Sequence, residues 1–195
     1  MRREELVQAA ISVIAQDGLA GATLATIAKR AEMSPALVNH YFDGKDELLA
    51  MALRRVSSLL RDEIRRLLPP NPTPHQRLKA IIDGNFQPQF YDPSAQEAWF
   101  QFGLLFQEKE SRHLHRINRI LGARFSSNIG FAFRQSIPAE QVSDAVDGLV
   151  ALIDGFSWSF LMAPTKADYN LARRVCWDFA EHRLRGTRSQ LQGRT

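Results

Sequence analysis

The chain has 195 residues, 45% of them hydrophobic, with a formal net charge of +4 and a sequence pI near 9.6. That is enough for one domain, or a small head on a larger body, with a real core, and the mild basic excess permits a polyanionic partner without demanding one. A lone Cys176 excludes an intramolecular disulfide, and even the most apolar stretch, VDGLVALIDGFSWSFLMA, is interrupted by Asp147 and Asp154, so no membrane span is expected. The opening MRREELVQAAISVIAQDG alternates charge with apolar residues where a signal peptide would have an unbroken apolar run, and a reducing cytoplasm is the expected home.

In chain order, Leu6, Ala9, Ala10, Val13 and Ile14 recur at spacings of three and four and predict one face of a first helix ending near Asp17-Gly18. Gly18 and Gly21 bracket the turn after it. Thr23 is placed to cap a second helix, LATIAKRA, with Leu24, Ile27, Ala28 and Ala31 as its apolar stripe. After the connection Glu32-Met33-Ser34, a third helix is expected from Pro35, with Ser34 as its cap and proline at a position where no N–H is needed. Phe42-Asp43-Gly44 interrupts that helix, and Asp43 is placed to cap a fourth that begins at Lys45. Helices as short as the second and third are marginal alone, so their neighbours must hold them for a purpose. Three short helices with a turn between the second and third form a helix-turn-helix pattern.

The fourth helix is expected from Lys45 to Leu68, ending at PPNPTP, where prolines remove donors and restrict their neighbours. Beyond it the helical period predicts helices from His75 to Phe86, Ser94 to Gln107 and Ser111 to Gln135, one over 139–163 between Pro138 and Pro164, and a last one from Asp168 to Leu184. The fold class expected is all-α, about nine helices: a head over 1–44, a body over 45–186, and a polar frayed tail over 187–195.

The segment TLATIAKRAEMSPALVNHYFDGKDELL resembles the DNA-binding head of the tetracycline-repressor (TetR) family, with Thr23, Ile27, Ala28, Tyr41, Phe42, Lys45 and Leu48 at the matching places. The resemblance implies a repressor that binds double-stranded operator DNA as a homodimer, paired through its last two helices, and answers to a small effector. Physical roles follow for the head. A recognition helix uses its exposed positions on base edges and its flanks on phosphates. Pro35, Ala36, Asn39 and His40 are the candidate base readers: Asn39 suits an adenine edge, and the Ala36 methyl a thymine methyl. Tyr41 and Lys45 suit phosphates, and Thr23 and Ser34 complete the expected DNA-binding set. Phe42 is expected to pack against the Leu48 and Leu49 turn as a structural residue.

Over the rest of the chain, RLKAIIDGNF, AW followed by Phe102, RI-N-R and ALIDGFSWSF resemble the body of BetI-type repressors, the choline-responsive regulators of glycine-betaine synthesis. This implies a choline-like effector that weakens DNA binding. A quaternary ammonium has no N–H to donate, so its site must offer aromatic faces, at about 0.5 to 2 kcal/mol per contact, and a counter-charge. Phe86, Trp99, Phe102, Phe106 and Trp158 are the candidate faces, with Asp154 or Asp83 as the carboxylate. Aromatic residues at helical spacing serve equally well as core, the segment at Gly103 lacks a second bulky aromatic after Phe102, and another amphiphile, a fatty acyl compound or a drug stays open as effector. Gly148 and Gly155, seven apart on nearly one face, suit close backbone approach in the expected dimer bundle.

Other chemistries find little support. Tyr41 and Lys45 have the spacing of a short-chain dehydrogenase pair, but the Gly-rich dinucleotide loop in a βαβ unit is missing. His113 and His115 point to different faces of a helix, without a Cys or carboxylate at metal-ligand spacing, so no metal and no cofactor is expected. No nucleophile stands near a base at a telling spacing, and an enzyme is not expected. A purely helical interaction module would leave the short head helices without purpose.

Overall fold

The computed structural model describes residues 2–87, 93–104 and 112–192. Among these residues there are nine α-helices and no strand: α1 Arg2–Gly21, α2 Leu24–Arg30, α3 Pro35–Tyr41, α4 Lys45–Leu67, α5 Pro74–Asn85, α6 Pro93–Leu104, α7 Arg112–Arg134, α8 Ala139–Met162 and α9 Tyr169–Gln192. A 3-10 turn at Pro164–Lys166 precedes α9. The chain divides into two compact units, Met1–Leu59 with Gln89–Leu121, and Leu60–Pro88 with Gly122–Thr195. The division falls inside α4, where Leu48, Leu49, Ala50, Ala52, Leu53 and Val56 on the first turns belong to the core of the first unit.

In the first unit, Leu6, Val7, Ala10, Ile11, Val13 and Ile14 of α1 share one core with Ile27, Ala28, Val38 and Phe42, with Ala95, Ala98 and Phe102 of α6, and with Leu114 and Ile117 of α7. The expected end of α1 at Gly18 is a break in helical geometry, φ +68° and ψ 179°, after which one further turn reaches Gly21. That left-handed φ is one a glycine adopts without steric cost. Thr23 and Thr26 form a reciprocal capping box at the start of α2. At its end the N–H of Met33 bonds the Ala28 carbonyl at 2.9 Å and that of Glu32 the Lys29 carbonyl at 3.2 Å, with Glu32 at φ +55°. This is a Schellman closure with glutamate in the left-handed position that glycine usually fills. Arg30 ties α2 to α1, donating to Ser12 Oγ at 2.5 Å and Gln16 Oε1 at 2.7 Å.

In the second unit, Leu78, Ile81, Ile82 and Phe86 share a core with Ile129, Ala132 and Phe133 of α7, with Val142, Ala145, Val146, Leu149, Ile153 and Phe160 of α8, and with Ala172, Cys176 and Ala180 of α9. Helix α5 is closed at its start by a capping box between Thr73 and Gln76. Two glycines set the spacing of long helices. A Cβ on Gly84 would lie 2.8 Å from Ile64 Cγ1, and one on Gly148 would lie 2.5 Å from Phe179 Cζ. Gly148 thus serves contact between α8 and α9 of the same chain, whereas a Cβ on Gly155 would meet nothing within 4 Å. The two glycines expected to act alike do different things. Helix α9 continues through Gln192, past the end expected near Leu184, so the segment expected as a frayed tail is helical as far as that residue.

Candidate DNA interface and effector-site residues

The third helix is built to hold one side and offer the other. Ser34 accepts the Leu37 N–H at 3.2 Å, Pro35 occupies the first turn, and Val38 is fully buried in the head core. That anchor leaves Pro35, Ala36, Asn39 and His40 exposed together on the opposite face. Tyr41 is half-buried, its ring edge-on to His40 with centroids 5.2 Å apart. Thr23 is exposed at the start of α2 and engaged in its capping box. Lys45 is half-buried, its ammonium 3.4 Å from the Leu19 carbonyl, so it also fastens the start of α4 to the last turn of α1.

The junction from α3 to α4 corrects one expectation. Asp43 is not the cap: α4 begins at Lys45, and Gly44 precedes it at φ +103°. Capping runs in the reverse direction, with Glu47 Oε2 reaching back to accept the Asp43 N–H at 2.7 Å. The other oxygen of Glu47 takes the Arg3 guanidinium at 2.6 Å, and Arg3 Cζ lies 4.8 Å from the centroid of the Phe42 ring. Phe42 itself is buried in the same core as Leu48 and Leu49, in the structural role expected of it. Sequence reasoning missed Glu47 and Arg3, since they stand 44 positions apart and share no local pattern.

The effector candidates fall in both units. Trp99, 37% exposed on α6, and fully buried Phe102 belong to the first unit. Phe86, Asp83, Asp154 and Trp158 belong to the second, and Phe106 lies outside the described residues. Phe86 is fully buried in an aromatic cluster, edge-on to Phe156 at 6.0 Å and to Phe160 at 6.2 Å, with Phe160 4.8 Å from Tyr169. Neither Phe156 nor Phe160 is among the residues expected beside Phe86, since they stand about 70 positions away and share no local pattern with it. Asp83 is paired with Lys79 at 2.7 Å, one helical turn away. Asp154 and Trp158 stand exposed on α8; although exposed, Asp154 is desolvated enough by its surroundings to raise its carboxyl above the ordinary range. An open groove of about 460 Å³ is lined by Ser126, Ser127, Gly130 and Arg134 of α7 and by Val142, Ser143 and Asp147 of α8, among others, and none of the effector candidates lines it. It offers no aromatic face to a quaternary ammonium.

Comparison with known proteins places both halves. Residues 6–52 match the description "Bacterial regulatory proteins, tetR family", and residues 74–185 match "BetI-type transcriptional repressor, C-terminal". The chain is 35% identical over 185 residues to the HTH-type transcriptional regulator BetI 1 of Chromohalobacter salexigens, covering 94% of this chain and 91% of that one. It is 33% identical over 186 residues to BetI of Klebsiella pneumoniae, covering 94% of each. Among solved structures, a transcriptional regulator from Rhodococcus superposes with a TM-score of 0.81 at 22% identity over 95% of this chain and 97% of that one. A putative transcriptional regulator from Saccharomonospora viridis, solved in complex with choline, gives 0.76 at 22% identity over 92% and 95%. With the head matched by one description, the body by the other and the relatives aligned nearly end to end, the chain belongs to the tetR family of DNA-binding transcriptional regulators, as a BetI-type repressor.

Proposed function

We propose that the chain represses transcription as a homodimer on a roughly palindromic operator and releases it on binding choline or a related quaternary ammonium compound. The observation that carries the DNA half is the split of α3, with Val38 buried and Pro35, Ala36, Asn39 and His40 presented together. A base-reading surface of four side chains is small, and two copies spaced by about one helical turn of DNA, near 34 Å, supply the specificity that one lacks. Asn39 and Ala36 read bases, and Tyr41 and Lys45 meet phosphates.

The dimer half is supported by α8. It is the one described helix long and apolar enough to cross a membrane, with 24 residues, yet its Val142, Leu149, Ile153 and Phe160 lie in the core of its own unit. Its other side exposes Trp158 at 45% and Met162 at 67%, and Leu171 of α9 is exposed as well. A second copy of the α8 and α9 pair would cover these residues, with Gly155 free of intrachain neighbours for close approach. Light scattering at micromolar concentration is expected to give twice the chain mass.

The effector half rests on BetI-type membership and on the choline-bound structure of similar fold. Trp99, like Trp158, offers an exposed ring from a packed helix, and its removal is the test. Hundredfold release requires roughly hundredfold tighter binding to the DNA-incompetent state, about 2.7 kcal/mol. Titrating choline into a preformed operator complex, followed by fluorescence anisotropy, is expected to release DNA at millimolar concentration or below, and Trp99→Ala to keep ligand-free DNA binding but lose the response. No release would move the effector to another amphiphile, a fatty acyl compound or a drug.

A further inference from the structure

We infer that Arg3 is a positioning residue for operator binding: it holds the exit of the recognition helix in place through Glu47 and Phe42 and does not itself touch DNA. This rests on the DNA-binding reading of α3. A seven-residue helix does not fix its own direction, because nucleation costs more than so few bonds return. The start of α3 is fixed by the Ser34 cap, and its middle by Val38. Its exit is an extended residue, Phe42 at φ −139°, followed by Asp43 and a positive-φ Gly44. Three contacts converge on that exit. Glu47 accepts the Asp43 N–H at 2.7 Å and the Arg3 guanidinium at 2.6 Å, and Arg3 lies over the Phe42 ring at 4.8 Å.

The position of Arg3 has no local explanation. A cation in the first turn of a helix sits at the positive end of the dipole, where it is disfavoured. Its tertiary partners account for it, and the neighbouring Glu4 lies 3.2 Å from Arg55 Nε of α4, an ion pair by distance in which that Nε makes no hydrogen bond among the described residues. The first turn of α1 is thereby strapped along α4 at two points, and the strap closes over the residue that ends the recognition helix. Arg3 is engaged by a carboxylate and a ring, and the salt slope decides whether it also meets a phosphate.

The experiment measures operator affinity of the full chain against salt for Arg3→Gln, Glu47→Gln and both together. Positioning predicts that Arg3→Gln weakens binding about threefold to tenfold with the slope of log K against log salt unchanged, the pair being exposed and of modest strength. Glu47→Gln is the decisive variant. Removing a negative charge near DNA should tighten binding by electrostatics alone, whereas loss of the strap weakens it to a similar degree as Arg3→Gln, and the double variant loses little more than either one. Arg3→Lys should recover most of the affinity. Tighter binding by Glu47→Gln, or a salt slope made shallower by about 0.9 per lost arginine contact in Arg3→Gln, would overturn the inference. Amide exchange in the DNA-free protein gives a second readout: faster exchange at Val38 to Phe42 in both single variants supports the strap, and unchanged exchange rejects it. Should the unaltered protein bind no operator, the DNA-binding reading fails while the exchange measurement still decides the strap.

Discussion

The head unit and the body unit reach stability by different means. The head carries two seven-residue helices that depend on side-chain caps, a capping box at Thr23 and a serine cap at Ser34, with Glu47 reaching back at the start of the longer α4. Its core is mostly aliphatic, with Phe42 and Phe102 as its fully packed rings. The body uses long helices drawn close at Gly84 and Gly148 around a cluster of Phe86, Phe156, Phe160 and Tyr169. Caps are local, so the exposed face of α3 is presented by a few neighbouring residues. Close packing of long helices is non-local, and the body's core draws its residues from α5, α7, α8 and α9.

The largest effect should come from removing a ring from each core. Phe42→Ala and Phe86→Ala should each cost about 3 to 5 kcal/mol. Chemical denaturation followed by operator titration is expected to show Phe42→Ala abolishing DNA binding at physiological temperature. Phe86→Ala should leave α3 able to bind wherever the chain stays folded. Equal loss of DNA binding per unit of lost stability would dissolve the contrast between the two units.

Gly148→Ala tests the close approach of α8 and α9. The new methyl meets Phe179 at 2.5 Å, so a loss of about 1 to 3 kcal/mol is expected, relieved in part by Phe179→Leu in the double variant. Gly155→Ala, with open space in the single chain, should leave monomer packing intact and weaken only the dimer, which concentration-dependent light scattering would register.

On the head, Asn39→Ala should cost about 1 to 3 kcal/mol of operator affinity and relax one base position, without a change of salt slope. Lys45→Ala should make the slope shallower and weaken binding to every sequence. Because its ammonium also reaches the Leu19 carbonyl, a small loss of head stability should accompany it. A Lys45→Ala variant with altered base preference and an unchanged slope would reverse this assignment.

Glu32→Gly should stabilise the head by up to about 1 kcal/mol, since glycine occupies the left-handed position without the Cβ penalty; a lower melting temperature would show that the glutamate has a compensating partner. The smallest effect at neutral pH concerns Cys176, whose thiol burial pushes up from 9.0 to about 12. Below about pH 9 the thiol is protonated in both states and nothing is lost. Above it the unfolded thiol ionises while the folded one stays neutral, so stability falls as pH rises toward about 12. Thiol-reagent kinetics at neutral pH should accordingly follow unfolding, not free-thiol reactivity.

The amino-acid sequence by itself determined the helical class, the number of helices, the caps at Thr23 and Ser34, and the presented face of α3, because these depend on residues within one or two turns of each other. Helix ends followed where a proline or glycine punctuated them, as at Gly18 and Pro138. Asp43 misled because a carboxylate before a helix and one in its first turn offer the same chemistry, and only the backbone turn at Gly44 selects Glu47. The aromatic residues of the body carried the same ambiguity on a larger scale. Spacing puts Phe86, Phe102 and Trp158 on apolar stripes, but a stripe does not say whether it meets its own core, a ligand or a second copy. Tertiary structure decided that Phe86 and Phe102 are core, that Asp154 and Trp158 stand on the outer side of α8, and that Gly148 meets Phe179. These outcomes depend on which helices become neighbours, and that depends on the burial of the whole chain at once.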